Sequence, residues 1–230
     1  MAAFTPDSAT IGLAASSILA AYLSCRCWIP PNALSSVRAD NRSIQIAFTI
    51  LASWILHILI ILSYPSSPPQ LLCPHPENLA KHLFTWTPYT AAMIGTVLVA
   101  APIRLLAFRH LGKNFTFHVT KPKQLINTGP YAYVQHPSYP TNWLVTTANL
   151  ALLWRPDGVL GCVLPSSVVR FAMGNGVVGV WPALLAAFGF FGGWAVWIRV
   201  KHEEGVLQKQ FGSEWEEYHR KTARFIPWVF

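Results

Sequence analysis

A chain of 230 residues that is 53% hydrophobic and only 11% charged, with mean hydropathy +0.36, is too apolar for an ordinary soluble domain, where about a quarter of residues carry charge. Its net charge of +8 then reads as membrane topology and attraction to an anionic leaflet, and nucleic-acid binding is set aside. Crossing ~30 Å of hydrocarbon takes about 20 helical residues, so the apolar run is the unit to follow along the chain.

The first run covers residues 9–25 and is rich in small residues. Residues 1–10 contain Asp7 and no Lys or Arg, so the basic start of a signal peptide is missing and a retained anchor is expected. A second run covers 44–63. Pro65, Pro68, Pro69, Pro74, Pro76 and Pro88 then mark 63–88 as a loop, and a third run covers 86–108. Residues 141–154 are short for a span, but Pro140 suits a first helical turn, and this run is taken as crossing. Residues 158–173 are apolar but broken by Pro165 and Arg170, which leaves open a sixth span or a re-entrant segment; 176–198 is the last long run. The expected architecture is all-α: a polytopic helical membrane protein of about five transmembrane helices, six being possible, ending in a C-terminal cytosolic amphipathic helix. No repeat or long linker divides residues 1–230, so one domain is expected.

Placing residues 26–43, 104–140 and 199–230 on one side gathers 14 of the 17 Lys and Arg residues there and leaves Lys81, Arg155 and Arg170 opposite. The excess of basic residues makes the first side cytosolic, and five crossings with the N-terminus outside satisfy it. Cys25, Cys27, Cys73 and Cys162 have neither zinc-ligand spacing nor the density of a disulfide scaffold, and Cys25 and Cys27 read as small apolar residues at an interface. No metal site is expected.

Five of the nine acids lie near the C-terminus: Glu203, Glu204, Glu214, Glu216 and Glu217. Leu207, Phe211, Trp215 and Tyr218 recur there at intervals of four, four and three, an apolar stripe on a helix that Glu203 extends one turn back. A carboxylate on such a face, beside the end of a membrane helix, is costly unless a cation meets it. Glu214, Glu216 and Glu217 read as a solvated face.

The other polar stretch runs from Lys121 to Tyr139, with Gly129 and Pro130 marking a turn before Tyr131, Tyr133, His136, Ser138 and Tyr139. Alone, these aromatics fit an interfacial belt. Their order, Gly-Pro-Tyr-Ala-Tyr-Val-Gln-His-Pro-Ser-Tyr, followed after a further hairpin by Arg199, Glu203-Glu204, Leu207, Phe211-Gly212, Trp215, Tyr218 and Ile226-Pro227, resembles the isoprenylcysteine carboxyl methyltransferase family. The likeness covers residues 111–227 and extends to membrane phospholipid methyltransferases, so it specifies the superfamily better than the substrate.

The resemblance implies an integral membrane enzyme using S-adenosyl-L-methionine. It assigns Lys123, Gln124, Leu125, Ile126, Tyr131, His136, Pro137, Ser138, Tyr139 and Glu203 to the cofactor, with Thr120 matched only across a gap. Arg199 corresponds to a substrate-facing arginine. S-adenosylmethionine is cationic at sulfur and nitrogen, which suits Glu203, and Arg199 one turn away can grip a carboxylate. Gln135 stands where the family usually has arginine and would face the substrate without a charge. His110, His118, His202 and His219 read as interfacial polar residues.

These features lead to an expected methylation of the C-terminal carboxylate of a prenylated cysteine, delivered laterally from the bilayer at the endoplasmic reticulum membrane, with both motifs and the C-terminus cytosolic. The partners expected are a prenylated protein or lipid-like substrate and the membrane. Gln135 keeps a second enzyme reading in play, methylation of a small lipid or terpenoid acid or of a phospholipid amine. A non-catalytic membrane scaffold is the alternative from another class.

Overall fold

The computed structural model describes residues 6–29, 41–63, 66–112, 115, 122, 124–174 and 179–227. Among these the chain is helical: α1 (Ser8–Trp28), α2 (Asn41–Ser63), α3 (Pro88–Leu111), α4 (Ser138–Leu153), α5 (Ser166–Met173), α6 (Val180–Phe211) and α7 (Ser213–Lys221), with short 3-10 turns between them. Four of these helices, α1, α2, α3 and α6, are long and apolar enough to cross a membrane.

Local chemistry sets several boundaries. Asp7 caps α1 by accepting a hydrogen bond from the Thr10 amide at 2.8 Å. Thr87 and Thr90 form a reciprocal capping box ahead of Pro88, which starts α3 where a missing N–H costs nothing. α6 does not end with the apolar run near Ile198, as the sequence predicts, but continues to Phe211 and stops at Gly212, whose φ of +54° ends the helix. The expected Leu207-to-Tyr218 stripe is therefore divided: Leu207 and Phe211 belong to α6, Trp215 and Tyr218 to the short amphipathic α7.

The core lies where α1, α2, α3 and α4 pack, with Trp54, Ile61, Leu83, Val145 and Leu153 fully buried. A polar bridge crosses it. Trp54 Nε1 donates to Asn149 Oδ1 at 2.8 Å, and Asn149 Nδ2 donates to Ser24 Oγ at 3.0 Å, joining α1, α2 and α4. Interhelical hydrogen bonds of this kind add directional attraction where lipid tails give apolar surfaces little reason to associate. α6 lies on the flank, mostly exposed, with Trp143 of α4 set against Gly189, Gly192 and Gly193.

One expectation is corrected at the end opposite the basic loops. Cys73 and Cys162 form a disulfide, which the sequence reading missed. It is reinforced by Asn78, whose amide donates to the carbonyls of Gly161 and Leu164 at 3.0 and 2.8 Å. Residues 158–173 fold as the turn Val159–Cys162 and the eight-residue α5. At ~1.5 Å per residue α5 is about 12 Å long, far less than ~30 Å of hydrocarbon.

Candidate active site

α3 and α4 are joined by residues 112–137, and this connection meets the end of α6 and α7 around one cavity. Its turn depends on Gly129, whose φ is +61° and where a Cβ would collide with the His110 ring. The chain then coils through Gly129–Ala132, burying Tyr131, and enters α4 at Ser138. Arg104, 6% exposed within the bundle, fixes that entry by donating from Nη1 to the Ser138 carbonyl at 2.8 Å and from Nε to the Cys27 carbonyl at 3.2 Å. Sequence reading counted Arg104 with the loop charges; its position inside a bundle end gave it away only as an arginine within an apolar run.

The cavity is partly open to solvent. Of the residues assigned to the cofactor, Gln124, Leu125, Ile126, Tyr131, His136, Ser138, Tyr139 and Glu203 line it. Lys123, like Thr120 and His118, lies outside the described residues. Pro137 is not among the lining residues; its carbonyl accepts from Thr141 Oγ1 at 3.0 Å in the first turn of α4. Leu111, Phe115, Val206, Leu207, Trp215 and Tyr218 complete the wall. Three of these, Leu207, Trp215 and Tyr218, were legible as an apolar stripe but not as part of a site.

The charged groups are arranged in two layers. Nearer the cavity, Tyr139 Oη donates to Glu203 Oε2 at 2.8 Å and accepts from Arg199 Nε at 2.7 Å. Arg199 does not itself line the cavity and reaches it through Tyr139. Behind them, His136 lies between two carboxylates, with Nδ1 3.7 Å from Glu203 Oε2 and Nε2 3.7 Å from Glu204 Oε1. Its Nε2 is buried and has no hydrogen-bond partner among the described residues. Glu204, 7% exposed, accepts two hydrogen bonds from Arg224, at 2.6 and 3.3 Å.

Arg224 belongs to a C-terminal segment that runs back along the His136 turn. The amides of Gln135 and His136 donate to the carbonyls of Ala223 and Arg224 at 2.8 and 3.0 Å, and Phe225 packs against His136 and Trp197. The Gln135 side chain faces this segment. Its Nε2 donates to the Thr222 and His219 carbonyls, and its Oε1 accepts from His219 Nδ1 at 2.8 Å. Gln135 touches the cavity wall, but its amide hydrogen bonds are made to the chain itself. His219, read from sequence as interfacial, also stacks on Trp215. Burial, the larger effect, lowers its pKa, with the Glu204 carboxylate opposing and Arg224, Lys201 and His136 adding to the shift. Burial likewise raises the pKa of the Tyr218 phenol, which donates to the Tyr131 carbonyl at 2.6 Å and joins α7 to the turn.

A cationic, partly apolar cofactor fits this donor set. Glu203 offers a partly exposed carboxylate, Tyr131 and Trp215 offer aromatic surface, and Leu125 and Ile126 aliphatic surface.

Comparison with known proteins agrees with this chemistry. Residues 93–175 match the model of the isoprenylcysteine carboxyl methyltransferase (ICMT) family. Over 135 residues the chain is 25% identical to protein-S-isoprenylcysteine O-methyltransferase of Dictyostelium discoideum, covering 55% of this chain and 44% of that one. Over 137 residues it is 27% identical to the probable protein-S-isoprenylcysteine O-methyltransferases of Oryza sativa subsp. indica and subsp. japonica, covering 58% of this chain and 58% of each of those. The chain thus spans about half the length of the curated relatives it matches. No solved structure matches it. The family match includes the turn from Gly129 to Tyr139 and ends before α6, so Arg199 and Glu203 rest on the geometry of the cavity.

Proposed function

We propose that the chain, whose residues 93–175 match the isoprenylcysteine carboxyl methyltransferase family model, transfers a methyl group from S-adenosylmethionine to the C-terminal carboxylate of a prenylated cysteine. The observation that carries this reading is the pairing, across one phenol at the cavity edge, of a carboxylate for a cationic cofactor with a guanidinium for an anionic acceptor.

S-adenosylmethionine would supply a methyl group made electrophilic by its sulfonium. Glu203 offers its carboxylate to the cofactor's cationic groups, and the Tyr139 hydroxyl, donating to it at 2.8 Å, holds that carboxylate in place. The walls from Leu125, Ile126, Tyr131 and Trp215 exclude water from the apolar part of the cofactor. Arg199 draws the acceptor carboxylate toward the same opening. A C-terminal carboxyl group has an ordinary pKa of about 3.5, so the acceptor is ionised at neutral pH and no general base is needed. The chain's contribution is alignment and partial exclusion of water.

The acceptor's prenyl chain partitions into the bilayer, where the flank of α6 with exposed Phe190, Phe191 and Trp194 faces lipid. Five crossings are proposed, α4 being the fifth, with the N-terminus outside and the cavity cytosolic in the endoplasmic reticulum membrane. The Cys73–Cys162 disulfide supports that orientation, since it needs an oxidising compartment at the end opposite the cavity.

Titration calorimetry on the purified protein in detergent tests the cofactor reading. Glu203→Ala and His136→Ala should each weaken S-adenosylmethionine, the first by about tenfold or more, as losing a charge-assisted hydrogen bond of ~1.5–3 kcal/mol implies. Wild-type affinity no better than either variant's would remove the methyltransferase reading. Transfer of labelled methyl to a farnesylated cysteine analogue, run beside phosphatidylethanolamine, tests the acceptor; label in the lipid alone would replace the carboxylate by an amine.

A further inference from the structure

Trp86 stands just before α3, Trp154 caps the end of α4 and Trp181 lies in the first turn of α6, so three helices carry an indole at the end that holds the disulfide, each at least partly exposed. Tryptophan gathers at the boundary between lipid and water, where an apolar ring and a polar N–H are both accommodated. The three indoles mark that level, and the chain between Trp154 and Trp181 contains α5. α5 does not run on into α6. Gly174, with φ of +65°, ends it, and Gly179 brings the start of α6 so close that a Cβ there would collide with the Met173 carbonyl.

The surface of α5 is divided. Val168 and Phe171, three residues apart and so on one face, are 43% and 73% exposed. Arg170, two residues on from Val168 and ~200° around the helix, is exposed on another side. Val169 is buried, and α5 packs on α6 and on the turn Pro76–Asn78. The two residues that interrupt the apolar run in the sequence have places in this arrangement: Pro165 stands at the N-cap and Arg170 supplies the polar edge.

We propose that α5 is an interfacial helix whose Val168–Phe171 face lies in the boundary between lipid headgroups and acyl chains, with Arg170 turned to the phosphates. A helix with one apolar face and a cation on another, at the level of the indoles, matches what that boundary offers. The apolar exposure also continues onto Val180 and Leu184 at the start of α6, a helix of membrane-spanning length. One face of an eight-residue helix is well short of the ~800 Å² per partner that a stable protein interface buries, which favours lipid over a second copy. The proposal depends neither on methyl transfer nor on which leaflet is cytosolic.

Spin labels test it on the full chain in nanodiscs of phosphatidylcholine and phosphatidylserine, with Cys25 and Cys27 changed to Ser and the disulfide intact. Labels enter through Val168→Cys, Phe171→Cys and Arg170→Cys, with Gln70→Cys, an exposed position ahead of α3, as the aqueous reference. Relaxation by oxygen, which concentrates among acyl chains, is compared with relaxation by a water-soluble nickel chelate. The oxygen-to-nickel ratio should be several-fold higher at the Val168 and Phe171 positions than at the Arg170 and Gln70 positions, reporting a depth of about 5–10 Å. A ratio at Val168 and Phe171 no higher than at Gln70 places the face in water and overturns the proposal. Low accessibility to both reagents means that a protein surface, a second copy included, covers the face, and overturns it too. A high ratio at all three α5 positions sinks the whole helix among acyl chains and replaces the interfacial helix by a re-entrant one. Should the Phe171 label lower the thermal midpoint, the Val168 label on the same face carries the test.

Discussion

Gln135 has two N–H donors and one carbonyl, and all three are used on residues 84–87 positions ahead in the chain, the His219 and Thr222 carbonyls and the His219 ring. The resemblance placed Gln135 against the substrate because the family usually has arginine at that position. The groups that capture its amide were not legible, because they belong to a segment whose return path has no local signature. The arrangement has a pH signature. With Nδ1–H donated to Gln135, His219 presents its bare Nε2 to Arg224 Nη2 at 3.4 Å, and a proton on Nε2 would face that guanidinium. Its folded pKa is therefore below its ordinary 6.5, through burial first, and between the two values the unfolded chain binds more protons than the folded one. This stabilisation is complete above pH ~6.5 and is lost as pH falls through the lower folded value. Thermal midpoints from pH 8 to pH 5 should fall on the acid side, and Gln135→Ala, which opens the His219 environment, should lower the midpoint at pH 8 and reduce its pH dependence. A slope unchanged by Gln135→Ala would detach His219 from the effect.

Among the elements, α1, α2 and α3 follow their apolar runs because a length near 20 residues of one solvent preference leaves little choice of structure in lipid. The end of α6 was less legible. Residues 199–211 are polar but helix-compatible, so the helix runs on until Gly212 stops it, and hydropathy alone marks the membrane edge rather than the helix end. The Cys73–Cys162 link was hidden for a different reason: two cysteines 89 residues apart carry no spacing pattern, and only the approach of the two loops at the ends of α3 and α4 brings them together. A cross-link of that span restricts the unfolded chain by ~4–5 kcal/mol on chain-entropy grounds, with ~2–4 kcal/mol the usual yield. Cys73→Ser should lower the thermal midpoint in detergent, reductant should do the same to wild type, and reductant should have no further effect on Cys73→Ser. Equal midpoints for wild type with and without reductant, under conditions that free both thiols, would mean the cap holds without its cross-link. Asn78 and the Ala80-to-Asp157 backbone bond at 2.8 Å are what would then carry it.

For the whole molecule, two independent chemistries favour the proposed orientation. Basic residues collect at the end that holds the cavity, where an anionic leaflet attracts them, and the disulfide lies at the other end, where thiols oxidise. The proposed arrangement, an external N-terminus, a cytosolic α7 and an odd number of crossings, accommodates both and takes α4 as a crossing despite its 16 residues, about 24 Å of helix. Its short length is compatible with a cytosolic end that starts inside the interface, where Tyr139 meets Arg199 and Glu203. Three reporters decide it in sealed microsomes with the cytosolic face outward, in a background with Cys25 and Cys27 changed to Ser. An impermeant thiol reagent should label Glu214→Cys in intact vesicles, and Gln70→Cys and Arg170→Cys only after permeabilisation. The Arg170 reporter is the discriminating one: if it is labelled in intact vesicles while Gln70→Cys is protected, then the chain crosses the membrane an odd number of times between the two, and α3 and α4 are not both single crossings. α5 would then lie on the cytosolic side and the five-crossing arrangement would fail. Protection of both, with α7 exposed, requires α6 to carry the chain from the disulfide cap to the cavity in a single span, which its 32 continuous residues are long enough to do.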